Sequence, residues 1–531
     1  MATLTAADIP AHVDVCVYAA TPAGCTAALA VAREGRSVLI IEPSRWVGGI
    51  LGAGIKPLQD CPNPSSIGGL ARETNLHGGK LPAATRAYFL ERLSQARIPV
   101  LYEHRLAAVS KDGSRIVSVR CEHAPPDAWG VPPAEALPGP GRVVTASCFI
   151  DASYEGDLMA RAGVSFAIGR EGSDRYHEQY AGVGKPTNVT PIDPFIAPGD
   201  PGSGLLWQVE SDHGKPQGAA DDYTQAYNFR FYVTSDPARR VPFTPPADYD
   251  PARFELVGRF VAHLVAHGQD QAISGIFPGW LNDGEYNYQR HSLVSIAPLG
   301  LSRRYQDGGY AERSAIWRAH IDWMRGIHHF LTTDERVPPI RRAAIAALGL
   351  DRTHHPDTDG WPHQLYVRIA RRLVGRYVLT EADVMNRTTV DDAVGLGQYG
   401  VDTYPVRRIA INDTSTGRMV VATEGNMFIG GNAGTGTPYG IPYRALTPET
   451  AQCSNLLVPV CCSASYIAYA ASRMEPVFQV LGESAGVAAS QAVAQGVAVQ
   501  EVSLPALRSR LVEVGQVLAA PVKLHGKPSD R

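Results

Sequence analysis

Residues 14–49 read DVCVYAATPAGCTAALAVAREGRSVLIIEPSRWVGG, and the order of elements in this stretch decides the fold. An alternating apolar run, Val13–Tyr18, predicts a β-strand. It leads into a turn of small residues, Ala19–Gly24, and then into an alanine-rich segment, Cys25–Glu34, that predicts a helix. A second apolar run, Ser37–Ile41, predicts another strand. Strand, turn, helix and strand in this order are the elements of a dinucleotide-binding unit.

The turn after the first strand departs from the usual G-x-G-x-x-G pattern. It reads Ala19-x-Thr21-x-x-Gly24, so it keeps only the third glycine, which lets helix and strand pack closely. Small residues in this turn let the backbone approach a pyrophosphate, and the helix N-terminus offers N–H groups to it. On these six residues alone, a plain strand–helix–strand unit without a ligand stays open as an alternative.

The residues after the second strand indicate which dinucleotide binds. Glu42 follows Gly24 by 18 positions. There a carboxylate can accept hydrogen bonds from ribose hydroxyls, and it disfavours the 2′-phosphate of NADP. The chain continues to the glycine pair Gly48–Gly49, which is expected when the ligand extends past this loop. Because the pyrophosphate and flavin of FAD extend in this way, the sequence predicts FAD.

Composition excludes several classes of protein. The chain has 531 residues, 44% of them hydrophobic, and a net charge of −3 with both signs mixed, so it carries no electrostatic footprint for nucleic acid. No signal-peptide pattern and no run of 18 apolar residues is present, which predicts a cytoplasmic protein without a membrane span. The adjacent Cys461 and Cys462 are expected to be core thiols rather than a redox pair.

The nucleotide-binding domain is predicted to be interrupted by an insertion. Its first part covers residues 1–168, and residues 438–531 return to it and end in a helix and tail. The inserted substrate or cap domain covers residues 169–437, with a helical section at about 251–375. Other predicted elements are helices at Ala83–Gln95, Pro251–Gly268, Tyr310–Thr332, Pro339–Leu348 and Pro476–Gln495 and strands at Val100–Leu106, Arg115–Glu122, Val143–Ile150 and Asn455–Val458.

Several motifs spread along the chain resemble one family. The chain is similar to the bacterial FAD-dependent oxidoreductase family, whose relatives are sometimes labelled xanthan lyases, within the two-domain superfamily of glutathione reductase. The resemblance implies an α/β fold with a Rossmann-like FAD-binding domain of the ββα type and an inserted mixed α+β domain. The segments that carry it are Glu42–Gly49, Ile67–Glu73, Phe149–Val164, Gly360–Arg368, Val374–Ala382, Tyr439–Leu446, Cys453–Ala471 and Arg473–Ala489.

The same resemblance implies a set of FAD-binding residues along the whole length of the cofactor. They are Ala19, Thr21, Pro22, Ala23 and Gly24 at the pyrophosphate; Glu42 at the adenosine ribose; Arg45, Gly48 and Gly49 along the pyrophosphate and ribityl path; Leu106, Ala152 and Ser153 at the adenine end; Met474, Glu475, Pro476 and Val477 at the flavin pyrimidine ring; and Pro43 and Asp157. A helix N-terminus at the pyrimidine ring would stabilise the negative charge of reduced flavin.

Two tyrosines stand where the family usually has histidine. They are Tyr404, in the segment that also contains Asp402, and Tyr466. Both segments flank the expected flavin face, so Tyr404, Tyr466 and Asp402 are candidate catalytic residues. Because tyrosine titrates near pH 10 and histidine near neutrality, a tyrosine mostly donates a hydrogen bond or shapes the pocket. The alternative is that both tyrosines are aromatic packing residues.

Further candidates rest on residue type. Arg473 could anchor a carboxylate or hydroxyl group of the substrate, and His363 could act as a base. Tyr443 and Arg444 lie in a family motif near the substrate side, and Trp361 forms with His363 and Gln364 a polar-aromatic cluster suited to a ring or sugar face. The pairs His328–His329 and His354–His355 lack a ligand set at tetrahedral spacing, so no metal site is predicted.

These observations favour a flavoenzyme that takes a hydride from a C–H next to oxygen or nitrogen in a small polar metabolite. No second nucleotide fingerprint occurs in the insertion, so O2 or another acceptor is expected to reoxidise the flavin. A flavin-dependent monooxygenase and, from another class, a non-redox polysaccharide lyase remain as alternatives. The sequence leaves the oligomeric state open.

Overall fold

The computed structural model describes residues 10–282, 285–287, 291–429 and 437–519. In the first part of the chain the strands are β1 (His12–Tyr18), β2 (Val38–Glu42), β3 (Val100–Tyr102), β4 (His104–Asp112), β5 (Arg115–His123) and β6 (Arg142–Asp151), and the helices are α1 (Pro22–Arg33), α2 (Gly69–His77), α3 (Pro82–Gln95) and α4 (Asp157–Arg161).

The middle of the chain adds short strands and four helices. The strands are β7 (Phe166–Ala167), β8 (Pro186–Thr190), β9 (Glu210–Ser211), β10 (Phe231–Thr234), β11 (Arg240–Val241), β12 (Trp280–Asn282), β13 (Glu285–Asn287), β14 (Gly349–Asp351), β15 (Arg372–Leu373), β16 (Ala393–Gly397), β17 (Val401–Thr403), β18 (Arg407–Asp413), β19 (Arg418–Glu424) and β20 (Met427–Ile429). The helices are α5 (Glu255–Ala266), α6 (Tyr310–Thr333), α7 (Pro339–Ala346) and α8 (Glu381–Val384).

The last part consists of β21 (Tyr439–Pro442), β22 (Leu456–Leu457), α9 (Tyr466–Ser472), α10 (Glu475–Gln495) and α11 (Leu504–Glu513). The predicted strand at Asn455–Val458 is therefore shorter than expected. The predicted helix at Pro251–Gly268 consists of one 3-10 turn, Pro251–Phe254, followed by α5.

A parallel sheet forms the centre of the nucleotide-binding part. The order is β3-β2-β1-β6, and β22 adds to β6 in the same direction. The β4–β5 hairpin joins the other half of β6 in antiparallel pairing. This arrangement confirms the predicted α/β class with a Rossmann-like FAD-binding domain, because it puts the carboxyl ends of β1, β2 and β6 at one edge of the sheet.

The prediction of one continuous strand at Val100–Leu106 is wrong. The run Val100–Leu106 is divided at Glu103, whose φ of 58° lies in the left-handed region. The backbone N–H of Glu103 donates to the carbonyl of Ser44 at 2.9 Å. Because of this bend, β3 pairs in parallel with β2 and β4 pairs in antiparallel with β5. The apolar pattern runs through the bend, and so it gave no sign of it.

Helices α1 and α10, from the first and last parts of the chain, pack closely on each other. Gly482 and Gly486 of α10 face α1, and a Cβ atom at either position would lie 2.3 Å from the carbonyl oxygen of Ala23 or 2.4 Å from that of Ala27. The Thr26 hydroxyl also donates to the carbonyl of Gln479 at 2.9 Å. The absence of side chains at the two glycines therefore brings α10 against α1.

In the described residues, the middle part contains a five-stranded and a four-stranded sheet, smaller two-stranded pairings and a helical layer. One sheet has the order β11-β14-β10-β13-β12 and the other β8-β19-β18-β9. Helix α6 buries Trp317, Ile321 and Met324 among the aromatic residues of this part. No helix in the described ranges is both long and apolar enough to cross a membrane. The domain limits at 168 and 437 remain predictions.

Candidate functional site

The turn between β1 and α1 is rigid and closely packed. Ala19 has a φ of 75°, a conformation in which glycine is usual. The Thr21 hydroxyl donates to the carbonyl of Ala152 at 2.7 Å and accepts from the N–H of Gly24 at 3.2 Å, so it caps the helix. A Cβ atom on Gly24 would lie 2.0 Å from the carbonyl oxygen of Ala19. The one retained fingerprint glycine is thus required by the shape of the turn.

Glu42 is buried at the end of β2 and bonded on both carboxylate oxygens. One oxygen accepts from the N–H of Ala20 at 2.6 Å, and the other accepts from the N–H and hydroxyl of Ser44 at 2.7 and 2.5 Å. Burial raises the pKa of Glu42, although these bonds oppose the shift. A carboxylate has about four acceptor positions, so one remains for a ribose hydroxyl.

The loop after Glu42 folds back onto the turn. The N–H of Gly48 donates to the carbonyl of Ala20 at 2.8 Å. A Cβ atom on Gly49 would lie 2.6 Å from the hydroxyl of Tyr154. The Arg45 side chain instead reaches outward, donating to the carbonyl of Pro126 at 2.5 Å and pairing with Glu103 at 3.0 Å. The two glycines therefore keep the loop close to the turn, as a dinucleotide site needs.

Many predicted cofactor residues surround one cavity. Those that line it are Ala19, Thr21, Glu42, Pro43, Gly49, Ser153 and Asp157. Pro22, Ala23, Gly24 and Ala152 are buried under the same turn. Three features fit FAD along this cavity. They are the closely packed turn, the remaining acceptor position of the Glu42 carboxylate, and the glycines at which a Cβ atom would find no room.

The cavity also has a wall that the sequence did not reveal. Tyr305, Tyr310, Arg313 and Trp317 line it from the middle part of the chain. The Tyr310 hydroxyl donates to the carbonyl of Leu106 at 2.8 Å, the residue expected at the adenine. Arg313 is 4% exposed and donates to both oxygens of Asp157 at 2.8 and 3.0 Å. Only the tertiary fold brings α6 to this cavity, so no local signal could have identified these residues.

The N-terminus of α10 carries a buried acid. Glu475 accepts from the hydroxyl of Tyr154 at 2.8 Å, and its other oxygen has no hydrogen-bond partner among the described residues. Burial raises the pKa of Glu475 to about 8. Pro476 occupies an early helix position, where its missing N–H costs little. Since Tyr154 also lines the cofactor cavity, the start of α10 lies next to that cavity; the placement of the flavin pyrimidine ring there remains a prediction.

Directly before α10, Arg473 is the centre of a buried polar group. Its guanidinium donates to the hydroxyl of Tyr366 at 3.0 Å, to Oε1 of Gln225 at 3.3 Å and to the backbone carbonyl of Asp402 at 3.0 Å. Gln225 Oε1 also accepts from the N–H of Tyr404 at 3.1 Å. We call these five residues, Arg473, Tyr366, Gln225, Asp402 and Tyr404, the Arg473 cluster.

The structure thus brings together three of the catalytic candidates, Arg473, Asp402 and Tyr404. The carboxylate of Asp402 lies 3.9 Å from the Arg473 guanidinium. Burial raises the pKa of Tyr404 above its ordinary value, so its phenol stays protonated. The guanidinium of Arg368 lies over the Tyr404 ring, 4.1 Å from its centroid. Gln225 lay outside every motif, and the family segment Gly360–Arg368, which contains Tyr366 and Arg368, did not single these two out as site residues.

Tyr466 lies at the first turn of α9. Its backbone N–H donates to Glu171 at 2.9 Å, and the Arg372 guanidinium lies 5.7 Å from its ring centroid. The Tyr466 hydroxyl is buried and has no partner in the part of the chain that the structure describes. Burial raises the pKa of this phenol as well. Its direct contacts are with Glu171 and Arg372 rather than with the Arg473 cluster.

His363 and Trp361 lie near the cofactor cavity and outside the Arg473 cluster. His363 lines that cavity and stacks on Trp46 with ring centroids 4.6 Å apart. Burial lowers the pKa of His363 well below its ordinary value, which keeps the ring neutral. Trp361 is fully buried against Trp129 and Phe229. These contacts give Trp361 a packing role in the wall behind His363.

Tyr443 and Arg444 do not line the cofactor cavity. The Tyr443 hydroxyl donates to the carbonyl of Val499 at 2.7 Å. Arg444 makes two bonds to the carboxylate of Asp392 at 2.8 and 3.1 Å. Their assignment to a substrate pocket remains a prediction. Within the described ranges, no group of three or more His, Cys, Asp or Glu side chains could hold a metal ion.

Comparison with solved structures gives partial matches of low similarity. The myxobacterial chondrochloren halogenase is 20% identical, with 28% of this chain and 38% of that chain covered and a TM-score of 0.20. The 3-ketosteroid-Δ4-(5α)-dehydrogenase of Rhodococcus jostii is 13% identical over 29% of this chain and 49% of that one, with a TM-score of 0.20. The thioredoxin reductase of T. acidophilum is 17% identical over 27% and 35%, with a TM-score of 0.17. The matched part spans less than half the length of each of these three structures.

No curated protein matches the sequence. Residues 14–511, nearly the whole chain, match the family described as FAD dependent oxidoreductase. This match agrees with the fit of the cavity to FAD and confirms the predicted cofactor. The chain belongs to the family of FAD-dependent oxidoreductases.

Proposed function

We propose that this protein oxidises a small polar metabolite by transfer of a hydride from a C–H next to oxygen or nitrogen. The observation that supports this reaction is the Arg473 cluster, which lies directly before the N-terminus of α10. The family resemblance expects the flavin pyrimidine ring at that N-terminus. A polar, water-poor group of side chains at this position suits substrate oxidation.

FAD, when bound, supplies the ring that accepts the hydride at N5. The protein itself supplies the groups that stabilise charge and orient the substrate. The positive end of α10 favours the negative charge that develops on the cofactor side. Arg473 and the protonated phenol of Tyr404 can donate hydrogen bonds that orient the substrate oxygen or nitrogen.

The remaining requirement is a group that takes the substrate proton. We assign this role to the carboxylate of Asp402, which lies 3.9 Å from the Arg473 guanidinium. The hydride leaves with the C–H bonding pair, and the O–H or N–H proton passes to Asp402, so the substrate becomes a carbonyl or imine. His363, the other candidate base, lies against Trp46 beside the cofactor cavity and outside the Arg473 cluster.

The first experiment is the visible spectrum of the purified protein, followed by denaturation and centrifugation. Flavin bands near ~450 nm with FAD in the supernatant are expected. Flavin retained in the pellet would indicate a covalent link.

The FAD-loaded protein is then mixed anaerobically with small alcohols, sugars, hydroxy acids and amines, and bleaching of the flavin without NAD(P)H is expected for one of these classes. Admission of air then tests O2 as the acceptor.

The role of Asp402 is tested with Asp402→Asn, which keeps the shape but removes the base. Anaerobic bleaching should slow roughly 10²–10⁴-fold, while FAD content stays the same. The exposed Asp307 gives the control Asp307→Asn, which should bleach like the unchanged protein.

The same anaerobic assay separates the alternative functions. Bleaching of the flavin only with NAD(P)H would favour the monooxygenase. Cleavage of a polysaccharide without any change in the flavin would favour the lyase.

A further inference from the structure

Three buried arginines converge on one tyrosine in the Arg473 cluster. Arg473 donates to the hydroxyl of Tyr366 at 3.0 Å. The guanidiniums of Arg368 and Arg230 lie 4.5 and 5.4 Å from the centroid of the Tyr366 ring. Each of the three arginines is 2–3% exposed. Three positive charges are therefore held together out of water.

The hydrogen bonds of Arg368 and Arg473 go to neutral oxygens. Arg368 donates to the carbonyl of Ala226 at 2.5 Å and to Oδ1 of Asn228 at 2.9 Å. Arg473 donates to Tyr366, to Gln225 and to a backbone carbonyl. The Nε atoms of both arginines are buried without an acceptor in the described ranges. In the part of the chain that the structure describes, neither guanidinium has a carboxylate within ordinary hydrogen-bond distance, and Asp402 lies 3.9 Å from Arg473.

Two other buried arginines of this protein have carboxylate partners at hydrogen-bond distance. Arg313 donates to the carboxylate of Asp157 at 2.8 Å, and Arg372 donates to that of Glu171 at 2.6 Å. A buried guanidinium without a paired anion is strongly unfavourable. In agreement, burial lowers the pKa of Arg368, and the neighbouring Arg473 and Arg230 lower it further.

Two carboxylates stand near the three arginines. Asp402 belongs to the cluster, and Asp60 interacts electrostatically with Arg230, Arg473 and Asp402. Asp60 and Tyr399 are partly exposed, so the side of the Arg473 cluster on which they lie reaches the surface. Among these described side chains, the three arginines outnumber the two carboxylates.

We infer that the substrate carries a carboxylate, which pairs with Arg368 and Arg473. This inference rests on the proposed function, because it names the class of metabolite that the Arg473 cluster would hold. The substrate is then a carboxylic acid with a hydroxyl or amino group on a neighbouring carbon. Its carboxylate occupies the arginines, and Asp402 takes the proton from its hydroxyl or amino group.

The test uses the FAD-loaded protein and two pairs of probes of nearly equal shape, propionate with propionamide and benzoate with benzamide. Binding is followed by calorimetry and by the change in the flavin spectrum. The acids should bind at least tenfold more tightly than the amides. Arg473→Gln and Arg368→Gln should each weaken binding of the acids at least tenfold without affecting the amides. Arg473→Lys should recover part of the loss, because it keeps the charge.

The control is Arg418→Gln, which removes an exposed arginine at the start of β19 and should leave all four affinities unchanged. FAD content and thermal unfolding of each variant separate a binding defect from a folding defect. Equal affinity for acids and amides, or no binding of any probe up to about 0.1 M, overturns the inference. Oxidation of an uncharged metabolite by Arg473→Gln at the full rate also overturns it. If the acids bind as expected but no compound bleaches the flavin, the inference stands and the proposed reaction falls.

Discussion

Two buried charges at opposite ends of the site have opposite surroundings. The carboxylate of Glu42 receives three hydrogen bonds, one from Ala20 and two from Ser44. The guanidinium of Arg473 leaves its Nε without an acceptor among the described residues and meets only neutral oxygens at hydrogen-bond distance. The charge at the cofactor end is thus hydrogen-bonded by the protein itself and keeps one acceptor position for a ligand, whereas the substrate end still needs a negative charge.

The two regions also differ in how they are assembled. The turn and Glu42 come from one stretch of about thirty residues, and their hydrogen bonds are mostly local. The Arg473 cluster draws single residues from four separated stretches of the chain. Local assembly is the reason why the first region can be identified from the sequence and the second cannot.

The largest expected effect concerns Glu475, which lies between the two regions. Its pKa of about 8 in the folded protein exceeds the ordinary value of 4.5, so the folded state holds a proton that the unfolded state releases. The stability that this proton provides is complete below pH ~4.5 and is lost as the pH rises through about 8. Glu475→Gln cannot titrate and should be more stable than the unchanged protein by on the order of 4 kcal/mol above pH 8.

Urea unfolding of the FAD-free protein at several pH values measures this difference. The difference should vanish near pH ~4.5 and grow up to about pH 8. The exposed Glu91 of α3 supplies the control Glu91→Gln, which should change little at any pH. Parallel stability curves for Glu475→Gln and the unchanged protein would contradict a buried, protonated Glu475.

The second effect tests the rigid turn of the cofactor end. Gly24→Ala puts a Cβ atom 2.0 Å from the carbonyl oxygen of Ala19 and 3.3 Å from the Cβ atom of Ala152. Overpacking of this kind should lower the free energy of unfolding by about 3 kcal/mol and abolish retention of FAD during purification. Gly139→Ala meets no atom within 4 Å and serves as the control. Normal FAD content in Gly24→Ala would mean that the turn is softer than its packing indicates.

The third effect tests how the middle part of the chain completes the cofactor end. Tyr310→Phe removes the hydroxyl that donates to the Leu106 carbonyl at 2.8 Å. The FAD-free protein should lose about 1 kcal/mol of stability. The FAD-bound protein should lose less, because the adenine amino group can take over this carbonyl. An equal loss of stability in both forms would argue against the expected contact of Leu106 with adenine. Tyr176 is partly exposed, and Tyr176→Phe is the control.

The smallest effect should increase stability. Ala19→Gly relieves a left-handed conformation, with φ of 75°, that is unfavourable for any residue with a Cβ atom. Part of this gain is lost because glycine has more freedom in the unfolded chain, so about 0.5–1 kcal/mol should remain. Chemical unfolding measures the gain. Ala32→Gly, inside α1, should have the opposite sign, and a destabilised Ala19→Gly would indicate that the alanine methyl group packs usefully.

The sequence predicted the strand–turn–helix–strand unit and the helix at Pro476–Gln495 because both carry continuous local patterns. It did not predict α2, nor the bend at Glu103, since the apolar pattern of Val100–Leu106 continues through the bend. In the candidate site it singled out Arg473, Asp402 and Tyr404 through family motifs. Tyr366, Arg368 and Gln225 join them only through tertiary contacts, and no spacing along the chain signals such contacts.

The glycine face of α10 has a consequence for the order of events during synthesis. Helix α1 is made first, yet its packing partner begins at Glu475 and ends at Gln495. Until the ribosome has released residues 475–495, the dinucleotide turn lacks the helix that supports it from behind, and contacts of such long range form late. We therefore expect FAD to be loaded only after residues 475–495 have been made, and we expect a ribosome that stalls in the middle part to leave a nascent chain that cannot hold the cofactor.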